Sequence, residues 1–215
     1  MCASPRSLSG SKILVTGATG FIGHHLCQHL QKYDVQIYGI SRFPQPSNSA
    51  IRWRQADVAS FDEMQRIMVE VKPDILFHLA ADCCAARNLE AVRSTFQGNL
   101  VSTVNLLTLM AETGGRLVLA GSLEEPDEGE SSIASSPYAA AKWASTIYAQ
   151  MFQQLYGVSI VRSRLFMVYG PGQLNFKKLI PYTTLALLNG EAPELSSGQR
   201  LIDWIYIDDV IDGLI

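Results

Sequence analysis

Long apolar runs are missing from this sequence. None approaches the roughly 20 residues that a bilayer-crossing helix needs, and the Ser- and Gly-rich first eleven residues have no apolar core of the kind a signal peptide carries. The chain is therefore expected to be cytoplasmic, without a membrane partner, and residues 1–11 are read as a loose tail. Cysteine is scarce: Cys2, Cys27, Cys83 and Cys84 are the only four. None has the Cys-x-x-Cys spacing, so neither a disulfide framework nor a metal site is indicated, and free, mostly buried thiols are expected. Blocks of basic residues are also missing. With 17 Lys and Arg against 20 Asp and Glu, a formal charge of −3 and scattered cations, there is no electrostatic footprint for nucleic acid. Of the four histidines, His24, His25 and His29 share one helical stretch and His78 ends a strand, and none is assigned a catalytic role. Internal repeats and low-complexity tracts are absent.

What is present is a folded globule of 215 residues, 47% hydrophobic, long enough for one domain with a sizeable core or for one domain plus part of a smaller lobe. The chain is organised around residues 13–23, an apolar strand running into Gly17, Gly20 and Gly23. Gly17 allows the turn at the strand end, Gly20 lets the backbone approach a pyrophosphate, and Gly23 lets the next helix lie close. That helix, read over residues 24–32, starts with free N–H groups facing the phosphates. Gly17, Gly20, Phe21, Ile22 and Gly23 are thus candidate cofactor contacts.

Strands are read at 35–40, 51–55, 74–78, 116–120 and 159–166, alternating with helices at 62–71, 88–113 and 137–156. This is the pattern of an α/β doubly wound parallel sheet of the Rossmann-like kind. The dinucleotide-binding domain is placed at residues 12–166. Strand two ends at Ser41-Arg42 without the acid that would bond the 2′-hydroxyl of NAD. A serine and a guanidinium suit the 2′-phosphate of NADP, the alternative being a solvated arginine. Leu79, Ala80 and Ala81 are small enough to let the cofactor pass. Gly121-Ser122 emerges at the carboxyl edge of the sheet, where ligands bind in this architecture. Tyr138 and Lys142 lie four apart, one turn from each other on one helix face.

The run Gly-Ala-Thr-Gly-Phe-Ile-Gly, Phe77-His78-Leu79-Ala80-Ala81, the Tyr138/Lys142 pair and Tyr169-Gly170-Pro171-Gly172 together resemble the extended short-chain dehydrogenase/reductase superfamily. The likeness is to its nucleotide-sugar epimerase/dehydratase group, and it extends from about Lys12 to Ile215. It implies that Ser122, Tyr138 and Lys142 are catalytic, with Lys142 also holding the nicotinamide ribose and Tyr138 as acid/base. Asn99, a mediocre helix former in mid-helix, matches a residue that helps hold the lysine through water, although Ser102 replaces a glycine there. Asp57 and Val58 fall where the adenine is contacted, or else Asp57 caps the next helix.

Glu124 matches a dehydratase glutamate, but Leu123 stands where glucose dehydratases carry an aspartate. The remaining acids of residues 123–130, Glu125, Asp127, Glu128 and Glu130, are read as a solvated loop. Residues 167–215 are expected to begin a substrate-binding lobe that is incomplete, with a helix at 175–189, a strand at 201–207 and a further helix from Asp208. Lys177, Lys178 and Arg200 are candidates for a nucleotide diphosphate or are plain surface charge. Met167 and Ile202 depart from residues common in relatives. The resemblance implies an NAD(P)-dependent enzyme acting on a nucleotide-sugar substrate as a homodimer, with NADP favoured over NAD. The reaction is read as hydride transfer by a keto-sugar reductase or dehydrogenase, the alternatives being a 4-epimerase, a dehydratase using Glu124, and a non-catalytic NAD(P)-sensing protein.

Overall fold

In a computed structural model the described residues are 8–47, 50–83, 86–126, 133–199 and 201–215. Six strands, β1 (Lys12–Thr16), β2 (Gln36–Ser41), β3 (Ile51–Gln55), β4 (Ile75–His78), β5 (Arg116–Ser122) and β6 (Ser159–Leu165), form one sheet in the order β3-β2-β1-β4-β5-β6. Every pairing in it is parallel. The strand order therefore reverses at the β1/β4 boundary, and the carboxyl ends beside that boundary form the crevice in which this architecture binds ligands. The register brings the strand ends together there: Thr16 pairs with Ile40 on one side and His78 on the other. Gly17, Ser41, Leu79 and Ser122 consequently leave the sheet along one edge.

Successive strand residues point to opposite faces, and the two faces have different covers. Leu14, Leu76, Leu117 and Leu119 pack under α2 (Phe61–Val71), α4 (Ser102–Thr113) and α5 (Pro137–Tyr156). Ile13, Val15, Phe77 and Val118 pack under α1 (Phe21–Leu30) and α7 (Ile207–Leu214). The doubly wound reading holds, with one correction to the lobe. Residues 208 onward, expected to belong to a separate substrate lobe, lie on the sheet beside α1. The cause is an i, i+3, i+4, i+7 apolar stripe, Ile207, Val210, Ile211 and Leu214, all buried. At roughly 1.5–3 kcal/mol per buried aliphatic side chain, that stripe is ample reason for docking.

Three further expectations are revised. The helix read at 88–113 is α3 (Glu90–Thr95) and α4 joined by a π-helical segment, Phe96–Val101. The local reason is the mid-segment Gly98 together with hydroxyls that bond back to the chain: Thr95 to the Ala91 carbonyl at 2.6 Å, Ser102 to Gly98 at 2.7 Å and Thr103 to Asn99 at 2.6 Å. The strand read at 201–207 is the short β8 (Trp204–Tyr206), paired in parallel with β7 (Met167–Tyr169) as a separate two-stranded ribbon. The helix expected from residue 175 is α6 (Leu179–Leu188), so Lys177 and Lys178 precede it.

Candidate active site

The glycine turn is built by close approach. Gly17 has φ +69°, and a Cβ there would stand 2.6 Å from the Ala80 backbone nitrogen, so this glycine seats β1 against the segment after β4 as well as turning the chain. A Cβ on Gly23 would stand 2.1 Å from the Gly17 carbonyl oxygen, which explains how α1 lies against the turn. Gly20 is the N-cap of α1 and the helix starts without a side-chain cap or an acid in its first turn. The first-turn N–H groups at Phe21 and Ile22 are thus in the arrangement that suits an anion. This cradle fits a dinucleotide pyrophosphate.

Beside it, Thr16 holds two neighbours. Its hydroxyl lies 2.8 Å from His78 Nδ1 and accepts from the Ala80 N–H at 3.3 Å. His78 is fully buried, with Nε2 3.2 Å from Thr103 Oγ1. Burial, and secondly the charge of Lys142, push its pKa down to about 3, which makes it a neutral core histidine.

At the adenosine end, Ser41 is buried and its hydroxyl already accepts from Phe43 N–H at 3.1 Å and from Gln45 at 3.2 Å. Arg42 opens onto a cleft of about 610 Å³, shared with Gln55, Asp57, Glu63 and Arg66. Asp57 accepts from Ala59 N–H at 2.9 Å, while its own N–H donates to Glu63 at 2.8 Å. Asp57 thus ties the turn before α2 and lines the cleft, but it does not cap the helix: the N-cap is Ser60, three residues on, without a side-chain cap bond. The Val58 side chain belongs to the core.

Ser122, Tyr138 and Lys142 converge. Tyr138 stands at the start of α5, whose N-cap Ser136 accepts from Ala139 N–H. Burial first pushes the phenol up to about 12; hydrogen bonding with Ser122 pulls the other way, and Cys83, Glu124 and Glu125 add to the rise. The Lys142 ammonium, one helical turn away, contributes nothing to this balance. The buried ammonium instead donates to the Ala120 carbonyl at 2.9 Å, and burial lowers its pKa. Asn99 is buried in the π segment and its side chain clamps Asp82, accepting from the N–H at 2.8 Å and donating to the carbonyl at 3.0 Å. It therefore shapes the segment after Ala81, and Ser145 of α5 donates to its carbonyl at 3.3 Å.

Glu124 joins this group: it accepts from the Ser136 hydroxyl at 3.1 Å, and its N–H donates to Ser122 Oγ at 3.2 Å. Lys177 and Lys178 are exposed in the turn before α6, and no described hydrogen bond or ion pair joins them to the site. Arg200, Cys2, Cys84, Asp127, Glu128 and Glu130 lie outside the described residues.

Two neighbours add to the sequence reading. The thiols are expected to be mostly buried; of the two described, Cys27 is buried, its thiol pushed up to about 12, whereas Cys83 is exposed and stands near both Tyr138 and Lys142. Glu125, expected to be solvated, is 3% exposed and ion-paired with Arg162 at 2.9 Å. The signal was on β6, where two arginines, Arg162 and Arg164, follow Ile160 and Val161 within a strand of the sheet.

The model of the NAD dependent epimerase/dehydratase family matches residues 13–215. The chain belongs to this family. Among its relatives, the dTDP-glucose 4,6-dehydratase of Salmonella typhimurium is 26% identical over 92% of this chain and 66% of its own length. The UDP-glucuronate 4-epimerase of Thermodesulfobacterium geofontis is 26% identical over 94% of this chain and 70% of its own. Among solved structures, UDP-glucuronic acid 4-epimerase from Bacillus cereus, in complex with UDP-glucuronic acid and NAD, superposes with a TM-score of 0.80 at 25% identity. That match covers 94% of this chain and 71% of the other. The chain thus spans about two thirds of the length of the curated relatives it matches.

Proposed function

We propose that the protein transfers hydride at a carbinol or ketone carbon of a nucleotide sugar, as a keto-sugar reductase or dehydrogenase. The observation that carries this is the convergence of Ser122, Tyr138 and Lys142 at the sheet edge next to the glycine cradle. Bound nicotinamide supplies or accepts the hydride. The Ser122 hydroxyl fixes the substrate oxygen, and Tyr138 donates a proton to that oxygen in reduction and recovers it in oxidation. A phenol pushed up to about 12 keeps its proton at neutral pH, which suits the reducing direction. Lys142 holds the cofactor ribose, Gly17, Gly20, Phe21, Ile22 and Gly23 the pyrophosphate, and Leu79, Ala80 and Ala81 line its path.

NADP is the proposed cofactor, supported by Arg42 and Arg66 on one cleft; the NAD in the similar epimerase structure supports the alternative of a tightly held NAD. The protein is proposed to work in the cytoplasm as a homodimer, supported by exposed Phe96 of the π segment and Trp143, Ile147 and Leu155 of α5. A second reading, dehydration with Glu124, is favoured by its hydrogen bond from Ser136 in the same site. Incubation with a 4-keto nucleotide sugar and NADPH tests the first reading: the reduced-nicotinamide absorbance should fall in step with product. Interconversion of two sugar epimers, or loss of water from the sugar, with catalytic cofactor and no net absorbance change, refutes the reductase.

A further inference from the structure

Buried carboxylates are costly unless paired and hydrogen-bonded, and Glu125 is fully provided for. Its Oε1 accepts from the Ser122 N–H at 2.6 Å. Its Oε2 accepts from the Thr146 hydroxyl at 2.5 Å and from the Arg162 guanidinium at 2.9 Å. Arg162 also reaches Thr146 Oγ1 at 2.9 Å, which closes the triangle. The other side of Ser122 is held as well, since Arg164 donates to its carbonyl at 3.2 Å and to the Glu125 carbonyl. Room for the carboxylate comes from Gly121, where a Cβ would stand 2.6 Å from Glu125 Oε1.

Thr146 gives this network its meaning. It follows Tyr138 and Lys142 at four-residue steps along α5 and so shares their face. One carboxylate thereby ties the backbone of Ser122 to the helix that carries the acid/base tyrosine. Resting on the roles given above to Ser122 and Tyr138, we propose that Glu125 is a positioning residue, which sets the distance between the Ser122 hydroxyl and the Tyr138 phenol through its bonds to the Ser122 N–H and to Thr146. Glu125 itself touches neither substrate nor cofactor. A hydroxyl and a phenol that must meet one substrate oxygen lose rate steeply when their spacing drifts.

The test reads the Ser122 amide directly by hydrogen exchange, beside steady-state kinetics on the full chain with a nucleotide sugar. Glu125→Leu should speed that exchange and lower kcat, each about tenfold or more, while KM stays within about twofold. Glu125→Gln retains an acceptor facing Ser122 and should recover part of both effects. Arg162→Met, at a side chain one-third exposed, repeats the test where the leucine variant fails to fold. Leu109→Ala, in the core away from the site, controls for stability: it should leave kcat at the parent value, and any faster Ser122 exchange it shows measures what lost global stability alone produces. Undisturbed Ser122 protection in the Glu125 and Arg162 variants overturns the proposal, and so does fast exchange with parental kcat. If the parent turns over no nucleotide sugar, the reading of the reaction fails, yet the exchange still decides whether Glu125 holds Ser122.

Discussion

The Lys142 ammonium donates to the Ala120 carbonyl at 2.9 Å, which fastens α5 to β5 two residues before Ser122. The lysine therefore serves the alignment of the site as well as its charge. Tyr138 is spared that double duty, so Tyr138→Phe should be the cleaner variant: turnover falls about a hundredfold or more, with cofactor affinity by titration calorimetry at the parental value. Full activity in Tyr138→Phe removes the tyrosine from its assigned role. Lys142→Met should lose turnover and cofactor affinity together.

Gly20→Val probes the cradle. A Cβ at this N-cap would stand 3.1 Å from the Gly17 carbonyl oxygen, already tight, and a branched side chain would add atoms on the surface left for the pyrophosphate. Cofactor titration should show affinity reduced about tenfold or more, with the far-ultraviolet circular dichroism unchanged. Parental affinity in this variant would place the phosphates elsewhere.

Arg42 probes cofactor choice. A charge-assisted hydrogen bond to a 2′-phosphate contributes about 1.5–3 kcal/mol, a factor of about ten or more in affinity. The parent should bind NADPH more tightly than NADH, and Arg42→Ala should narrow the gap by about that factor without weakening NADH. Equal affinities for the two cofactors in the parent would refute the assignment.

These four variants all lie on features visible in the sequence. The glycine spacing, the strand-end serine and the Tyr-x-x-x-Lys step are local, fixed by chain geometry over a few residues, and so they survive without a structure. Glu125 was hidden because its meaning is non-local. Among Glu124, Asp127 and Glu128 it looks like one more solvated acid, while its partner Arg162 is 37 residues away on β6. The π segment was hidden for another reason, since an apolar helical period continues through residues 96–101 and only the Gly98-Asn99 pair interrupts it. The docking of α7 was legible as an amphipathic stripe but not in its destination, because periodicity names a buried face without naming what covers it.

The pH dependence of stability gives the last prediction. His78 is enclosed by Thr16, Ser102 and Thr103, and its pKa falls from 6.5 to about 3 in the folded chain, through burial and then the charge of Lys142. Above the unfolded value of 6.5 the ring is neutral in both states and full stability is present. As pH falls below it, the unfolded chain takes up a proton that the folded chain refuses until about 3, so stability drains away across that window. The loss is about 1.4 kcal/mol per pH unit from this group alone, hence on the order of 2 kcal/mol between neutrality and about pH 5, where most carboxylates are still ionised. Urea unfolding at pH 7 and at about pH 5 measures it in the parent and in His78→Gln. The glutamine variant is expected to start less stable at pH 7 and to lose less on acidification, since it carries no titrating group in the pocket. Parallel losses in the two proteins would mean that His78 is protonated in the fold and that the network around Thr16 is wrongly described.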